Sequence, residues 1–241
     1  MEPVSLSDIE LYFSPKIAEQ KIFIEGEECH HIKDVMRHKT GDEIFVTDGE
    51  GHIYKTEITE VSVKSISCGL LERFEYPNNF SKIIFCIPRL KSAERFEFAL
   101  EKCVELGITN FIVFDSQRTV AKGEKIERWQ KILTSAMKQS LRAWLPKISY
   151  VKSVAELSKL SGTKILFDQN SEQNFTEWFS TQNSKPETQN LFFIFGPEGG
   201  ISEGECRMMN AGWRVRLTNN RLRSETAIVT AAAEMALSIK G

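Results

Sequence analysis

Hydrophobic and polar positions follow two different patterns along the chain. Up to Glu72, short apolar runs alternate with polar residues, which is typical of half-buried strands. "KIFIEG" predicts one strand, "EIFVTDGEGHIYKTEI" predicts a hairpin around Asp48–Gly51, and "VSVKSISCGLLER" predicts another strand. A single helical pattern, "EECHHIKDVMRHKTGD", ends at Gly41. The first part is therefore predicted to form a small, β-rich, barrel-like unit.

From Lys82 onwards, continuous apolar strands alternate with helical patterns. "KIIFCI" and "NFIVF" flank the amphipathic helix "SAERFEFALEKCVELG", and further strands are predicted at "KILF", "LFFIF" and "WRVRL". Further helices are predicted over residues 125–141, over 154–160 and from Glu225 towards Ile239, and the polar "SEQNFTEWFSTQNSKPETQN" is an irregular or partly helical connection. This alternation predicts an α/β fold with a mostly parallel sheet between helices. The Pro- and Asn-containing "FEYPNNFSK" is the predicted linker.

Cysteine usage and charge narrow the class of protein. The five cysteines are scattered and form no CxxC pair, which argues against a disulfide framework and a zinc knuckle and favours a reducing cytoplasm. The acidic N-terminal stretch lacks an apolar core, and no run approaches the length of a membrane span, so we expect a soluble, non-exported protein. Up to Glu72 there are 7 Lys and Arg against 15 Asp and Glu, and beyond it 24 against 18. The second part is the better candidate for facing a polyanion.

A glycine-rich loop, "FGPEGGISEGE", follows the strand "LFFIF". It has neither the lysine of a phosphate-binding loop nor the spacing of a dinucleotide site, and Glu198 would repel a polyphosphate. Pro197 and the glycines predict a rigid turn that a neutral or cationic ligand can approach closely. The alternative is a tight strand-to-helix turn in which Glu198 caps neighbouring amides. Ser202 and Glu205 have the spacing of a capping box and predict a helix from Glu203 to Asn210.

A second motif, "LTNNRLRSETAIVTAAAEMAL", follows the strand "WRVRL". Arg221, Arg223 and Glu225 lie at a strand end, as Glu198 does. The alanines of the following helix predict close packing in a crowded place or at a subunit interface, although alanine also has a high helix propensity.

These motifs, together with "EKCVELG", "RTVAKGEKIERWQKILTSAMKQSLRAWLP" and "HHIKDVMRHKTGDEIFVTDGEG", resemble those of the 16S ribosomal RNA uracil-N3 methyltransferases (RsmE type) of the SPOUT superfamily. The resemblance covers nearly the whole chain. It implies a PUA-like, RNA-binding β-barrel over residues 1–74 and a SPOUT-type α/β domain with a C-terminal trefoil knot over residues 75–241. It also implies S-adenosyl-L-methionine as cofactor, 16S ribosomal RNA as substrate, an assembled small subunit as its setting, a cytoplasmic location and a homodimer.

Carried over by position, the resemblance places a cofactor site on three loops. Its residues are Leu166, Phe167, Phe195, Gly196, Pro197, Glu198, Gly199, Gly200, Leu217, Asn219, Leu222 and Arg223. The RNA-binding residues that it implies are His31, Arg37, Arg118, Gln139 and Arg142, for each of which a solvated or internally paired side chain is the alternative. The chain departs from the family pattern at Thr218, Asn220 and Arg221, where the family has glycine, arginine and an apolar residue. Arg221 is expected to stand in for the missing arginine.

Methylation at uracil N3 requires removal of an imide proton or stabilisation of the anion that remains. All four histidines lie in the first part, so we favour Glu225 as proton acceptor or orienting group. Arg223 would stabilise charge on the uracil oxygens or hold a phosphate. The alternative is an internal Arg223–Glu225 ion pair that only shapes the loop.

A metal site and two other functions are the alternatives to a methyltransferase. Cys29, His30, His31 and His38 lie on one predicted helix, but only His31 and His38 share a face, so no metal is expected. A non-catalytic RNA-binding ribosome-assembly factor with the same fold is the alternative function. A nucleotide-binding enzyme is disfavoured by Glu198 and the absent lysine.

Overall fold

The computed structural model describes residues 9–18, 20–182 and 189–238. The chain divides into two compact units. The first comprises residues up to Asn78 together with Thr134–Leu145, and the second comprises Asn79–Leu133 and the residues from Pro146 onwards. This division follows contacts within the fold, and the boundary between residues 74 and 75 stays a prediction.

The first unit contains a six-stranded, largely antiparallel sheet. Its strands, in the spatial order β1-β4-β5-β6-β3-β2, are β1 Leu11–Phe13, β2 Ile17–Ala18, β3 Lys21–Glu25, β4 Glu43–Thr47, β5 His52–Val61 and β6 Ser65–Glu75. Alternate apolar side chains such as Ile22, Ile24 and Ile58 are fully buried, as the two-residue period of the sequence requires. The strand at "KIFIEG" and the hairpin at Asp48–Gly51 are confirmed.

Two predictions for the first unit are wrong in detail. The helix over "EECHHIKDVMRHKTGD" is shorter than expected: α1 spans Gly26–His30, a π-helical turn spans His31–Val35, and Arg37 then takes a left-handed backbone conformation with φ of 60°. The strand predicted over "VSVKSISCGLLER" contains a turn, in which the Ser62 amide donates to the Ser65 carbonyl oxygen at 2.9 Å. β5 therefore ends before this turn and β6 begins after it.

Hydrogen bonds tie the segment Thr134–Leu145 to the β-rich part of its own unit. The Leu145 amide donates to the Gly49 carbonyl oxygen at 2.8 Å, and the Trp144 indole donates to the Tyr76 carbonyl oxygen at 2.8 Å. A Cβ atom at Gly51 would lie 2.5 Å from the Trp144 ring, so only glycine allows this approach. The segment is thereby held at the hairpin of its own unit.

The second unit contains a six-stranded, wholly parallel sheet. Its strands, in the spatial order β12-β10-β11-β7-β8-β9, are β7 Ile83–Pro88, β8 Asn110–Phe114, β9 Lys147–Val151, β10 Thr163–Phe167, β11 Leu191–Ile194 and β12 Trp213–Val215. The parallel sheet is confirmed. β9 was not predicted, because this edge strand alternates exposed and half-buried residues in "KISYV" and carries no continuous apolar run.

Helices cover both faces of this sheet. They are α2 Ala93–Glu105, α3 Ile126–Gln139, α4 Val154–Ser158, α5 Phe175–Gln182, α6 Glu203–Met209 and α7 Ser224–Ser238. On one face, α4 and α6 pack over Cys86, Leu166 and Ile194. On the other face, rings of α5 contact Phe193, and α7 packs against α2. The two-sided α/β fold is confirmed, and each predicted helix is found with its ends shifted by a few residues.

The final helix was predicted to run towards Ile239, which lies outside the described residues. Across 9–18, 20–182 and 189–238, no helix is both long enough and apolar enough to cross a membrane.

Candidate active site

Three loops of the second unit meet at one edge of the parallel sheet. β10, β11 and β12 are neighbours, and because they run in parallel, the residues that follow them emerge at the same edge. The Phe167 ring, at the end of β10, stacks on the Phe195 ring after β11 with centroids 4.5 Å apart. The Asp168 amide donates to the Val215 carbonyl oxygen of β12 at 2.9 Å. The three predicted cofactor loops are therefore adjacent.

The loop Phe195–Gly200 is a tight turn. The Gly200 amide donates to the Pro197 carbonyl oxygen at 2.8 Å, and Gly200 has a φ of 71°, which a residue with a side chain adopts only at a cost. A Cβ atom on Gly199 would lie 3.1 Å from the Arg118 Cβ. The Phe195 and Pro197 side chains are buried, so a ligand would meet this turn mainly through its backbone.

Glu198 is exposed at the tip of this turn, and its carboxylate has a partner. Oε1 accepts a hydrogen bond of 3.0 Å from the Lys91 amide, in the loop after β7. This contact is of the kind expected if Glu198 caps a neighbouring amide. It joins the loops that follow β7 and β11.

Arg118 and Gln117, in the loop after β8, also contact the segment after β11. The Arg118 guanidinium donates to the Gly199 carbonyl oxygen at 2.9 Å, and the Gln117 amide donates to Glu205 Oε1 at 2.7 Å. Glu205 and Ser202 form the predicted capping box at the start of α6, which is confirmed, although the helix ends at Met209 rather than Asn210. Arg118, proposed as an RNA contact, thus supports the glycine turn.

The loop Leu217–Arg223 precedes α7. Thr218 Oγ1 accepts from the Asn220 amide at 2.9 Å and donates to the Asn220 carbonyl oxygen at 3.1 Å. The Thr218 side chain thus fixes this turn. Leu217 and Leu222 are half-buried, whereas Asn219, Arg221 and Arg223 are exposed. Leu166, by contrast, packs its side chain into the core under α4 and α6, so only its backbone is left for a ligand.

Glu225 lies in the first turn of α7 and is 9% exposed. Its Oε1 lies 3.5 Å from Nε of Arg95, in the first turn of α2, and its Oε2 is buried without a hydrogen-bond partner. Among the described residues, Glu225 therefore forms its ion pair with Arg95. This corrects the alternative of an Arg223–Glu225 pair. Sequence reasoning missed Arg95. The position of Arg95 could have indicated it, because Arg95 follows the strand "KIIFCI" after one short loop and so lies at the same edge of the sheet.

The other predicted RNA-binding residues belong to the first unit. His31 is half-buried, with its ring centroid 6.2 Å from that of Tyr12, and Arg37 is exposed. Gln139 and Arg142 are exposed at and beyond the end of α3. The ion pair between Glu28 and Lys138 joins α1 to the end of α3 within this unit. It brings the two groups of predicted RNA contacts together.

The histidines near α1 are engaged with acidic neighbours. His30 and His38 contact Asp34 and Asp42, at 2.6 Å and 3.1 Å. The prediction that His31 and His38 share a helix face is wrong, because the helical residues end at Val35. Over the described ranges, no three His, Cys, Asp or Glu side chains are grouped so that they would hold a metal ion.

The fold and these loops have counterparts among known protein families. Residues 77–236 match the family described as an RNA methyltransferase domain, and residues 24–71 match the RNA methyltransferase PUA domain. The class of protein is therefore an RNA methyltransferase with a PUA-like domain.

Individual relatives narrow this class. The chain is 32% identical over 217 residues to the ribosomal RNA small subunit methyltransferase E of Bacillus subtilis (strain 168), covering 85% of each chain. A crystal structure of a probable rRNA-methyltransferase from Porphyromonas gingivalis has a TM-score of 0.80 at 26% identity, covering 95% of this chain and 98% of that one. The ribosomal RNA small subunit methyltransferase E of Neisseria gonorrhoeae, bound to S-adenosyl methionine, has a TM-score of 0.79 at 25% identity with the same coverage. The chain belongs to the ribosomal RNA small subunit methyltransferase E family.

Proposed function

We propose that this protein methylates N3 of a uracil in 16S ribosomal RNA, with S-adenosyl-L-methionine as the methyl donor. The observation that carries the proposal is the edge of the parallel sheet described above. There, three loops follow neighbouring strands, and the third leads into α7, where Glu225 holds a buried carboxylate oxygen without a partner.

The residues at this edge fit the cofactor. The turn Phe195–Gly200 contains no lysine, and its one charged side chain, Glu198, is acidic. Such a turn suits a phosphate-free ligand that carries a positive sulfonium group better than it suits a nucleotide phosphate. A Cβ atom at Gly196 would lie 3.5 Å from the Gly200 Cα, so the turn is closely folded, and Glu198 and Gly199 at its tip are exposed.

Three loops of the second unit would hold the cofactor. The proposed residues are Leu166, Phe167, Phe195, Gly196, Pro197, Glu198, Gly199, Gly200, Leu217, Asn219, Leu222 and Arg223. When bound, S-adenosylmethionine supplies an activated methyl group. The chain itself has to hold the uracil in line with that group and prepare its N3.

Glu225 and Arg223 are proposed to prepare the uracil. Glu225 offers the unpartnered Oε2 as the acceptor of the N3 proton or as an orienting group, and this atom is withdrawn from solvent. Arg223 is exposed two residues before it, where its guanidinium would stabilise negative charge on the uracil oxygens or hold a phosphate.

RNA contacts are proposed for both units. His31, Arg37, Gln139 and Arg142 would contact RNA in the first unit, which matches a PUA domain of RNA methyltransferases in part of its length. In the second unit, Arg118 would combine a contact to RNA with its hydrogen bond to the glycine turn. Arginine suits this role because its planar fork of donors matches a phosphate group.

The assembly is part of the same proposal. From the sequence resemblance we propose a C-terminal trefoil knot, a homodimer, and domains over residues 1–74 and 75–241. We also propose a small ribosomal subunit as substrate and a cytoplasmic location. The close approach of α7 to α2 supports the crowded packing expected of the alanine-rich helix, since Ala231 and Ala232 are fully buried.

Calorimetry with S-adenosylmethionine and a methyl-transfer assay test the proposal together. We expect saturable cofactor binding and transfer of a labelled methyl group to small ribosomal subunits or 16S RNA that lack the modification. No binding at millimolar cofactor would contradict the proposal and favour a non-catalytic RNA-binding assembly factor.

A further inference from the structure

Glu225 has an unusual environment for an acidic side chain. Among the described residues, the acidic and basic side chains that are buried are Lys164 and Glu225. The Lys164 ammonium donates to the Leu160 carbonyl oxygen at 2.8 Å. Glu225 has one oxygen near Arg95 and the other, Oε2, without a hydrogen bond. A buried, half-satisfied carboxylate is costly, so it needs a compensating charge.

Arg95 supplies that charge from a fixed position. Ser92 caps α2 by accepting a hydrogen bond of 3.3 Å from the Arg95 amide, which places Arg95 in the first turn. α2 follows β7 and α7 follows β12, so the two helices start at the same edge of the sheet and pack against each other. The Arg95 side chain is 48% exposed, so it reaches the carboxylate from the solvent side.

We propose that Arg95 is a positioning residue for Glu225. Its guanidinium engages Oε1 and compensates the carboxylate charge, which leaves the unpartnered Oε2 as the oxygen for the substrate. This inference rests on the proposed function, in which the N3–H bond of uracil breaks, the proton passes to Oε2 and the electron pair stays on N3 as the nucleophile. Without Arg95, the Glu225 side chain is free to rotate and its charge is uncompensated in a buried place.

A matched control is present on the same helix. Arg128 of α3 pairs with Glu97 of α2, with Nε 2.7 Å from Oε1, and the Arg128 side chain is 60% exposed. Arg128→Ala removes an arginine–glutamate pair from α2 without touching the proposed site. It therefore measures what loss of such a pair does to the fold alone.

A double-mutant cycle tests the inference, with single-turnover methyl-transfer rates measured at saturating cofactor and excess enzyme. The variants are Arg95→Ala, Glu225→Gln, the double variant, Arg95→Lys and Arg128→Ala. We expect Arg95→Ala to slow transfer at least tenfold while the cofactor Kd changes less than about twofold, a difference of about 0.4 kcal/mol. In the Glu225→Gln background, the same change should slow transfer less than twofold, because Arg95 acts through Glu225. Arg95→Lys should recover part of the rate, and Arg128→Ala should retain it.

The outcomes separate this inference from the function on which it rests. If the unaltered protein binds no cofactor and transfers no methyl group, the proposed function fails. If it is active but Arg95→Ala costs the same factor in both backgrounds, or Glu225→Gln matches the unaltered protein, the positioning role is overturned. A loss as large for Arg128→Ala would also overturn it, because the effect would then be one of general structure.

Discussion

The guanidinium of Arg118 donates a hydrogen bond of 2.9 Å to the carbonyl oxygen of Gly199. These residues are 81 positions apart in the chain, and the contact braces the glycine turn from the loop that follows β8. A Cβ atom on Gly199 would lie 3.1 Å from the Arg118 Cβ, so the two segments are already in close contact. The turn proposed to hold the cofactor therefore depends on a residue far from it in sequence.

We expect Arg118→Ala to weaken cofactor binding. An exposed hydrogen bond from a charged donor contributes about 1 kcal/mol, so the cofactor Kd should rise roughly fivefold. Calorimetry measures this change, with Arg128→Ala as the control for loss of a surface arginine. An unchanged Kd would mean that the turn keeps its shape without the brace.

Substitutions at Gly196 and Gly200 should separate backbone strain from ligand contact. Gly200 has a φ of 71°, so Gly200→Ala should lower the free energy of unfolding by roughly 1–2 kcal/mol. At Gly196 an added Cβ meets only ordinary contacts of 3.5 Å and longer, so Gly196→Ala should leave this free energy nearly unchanged. If the cofactor lies against the backbone here, Gly196→Ala should still weaken its binding at least tenfold. Urea unfolding and calorimetry on the same samples decide the matter, and full cofactor affinity in Gly196→Ala would argue against close approach.

Arg223→Ala should leave the fold intact, because the side chain is exposed. We expect methyl transfer to fall at least tenfold, which corresponds to a barrier change of about 1.4 kcal/mol. Steady-state kinetics with the RNA substrate measures the loss. Unchanged turnover would mean that Arg223 only shapes the loop.

Asp48 makes a testable contribution to acid stability in the first unit. Burial would raise the pKa of Asp48, but hydrogen bonds from the Glu50 amide and from the His52 ring and amide outweigh it and lower the pKa below its usual value. A lowered pKa in the folded state stabilises the fold above the unfolded pKa of about 4, and this contribution is lost as the pH falls through the lower, folded value.

Asp48→Asn should therefore lower the free energy of unfolding by roughly 1–3 kcal/mol at pH 7, and the difference should shrink below about pH 4. Asp34, which pairs with His30 in an exposed place, is the matched control, and Asp34→Asn should change stability little. Urea unfolding over a pH series measures both. A difference that does not depend on pH would contradict the assignment to ionised Asp48.

Local patterns predicted much of the fold. The apolar runs "KIIFCI", "NFIVF" and "LFFIF" became central strands, and Ser202 and Glu205 formed their capping box, because these features depend on neighbouring residues. For the site, the sequence predicted only which loops follow the ends of strands. The contacts of Glu225 with Arg95 and of Glu198 with Lys91 join residues more than 100 positions apart, and no local pattern encodes such pairs. The π-helical turn at His31–Val35 was missed because its residues are also compatible with an ordinary helix.

The most direct test of the central claim is mass-spectrometric mapping of the methylated nucleotide. Purified protein would be incubated with labelled S-adenosylmethionine and small ribosomal subunits that lack the modification, with Glu225→Gln as a parallel sample. We predict a single labelled 3-methyluridine in 16S RNA from the unaltered protein and a strongly reduced amount from Glu225→Gln. A label on another base or another atom of uridine, or no label despite bound cofactor, would contradict the proposed reaction.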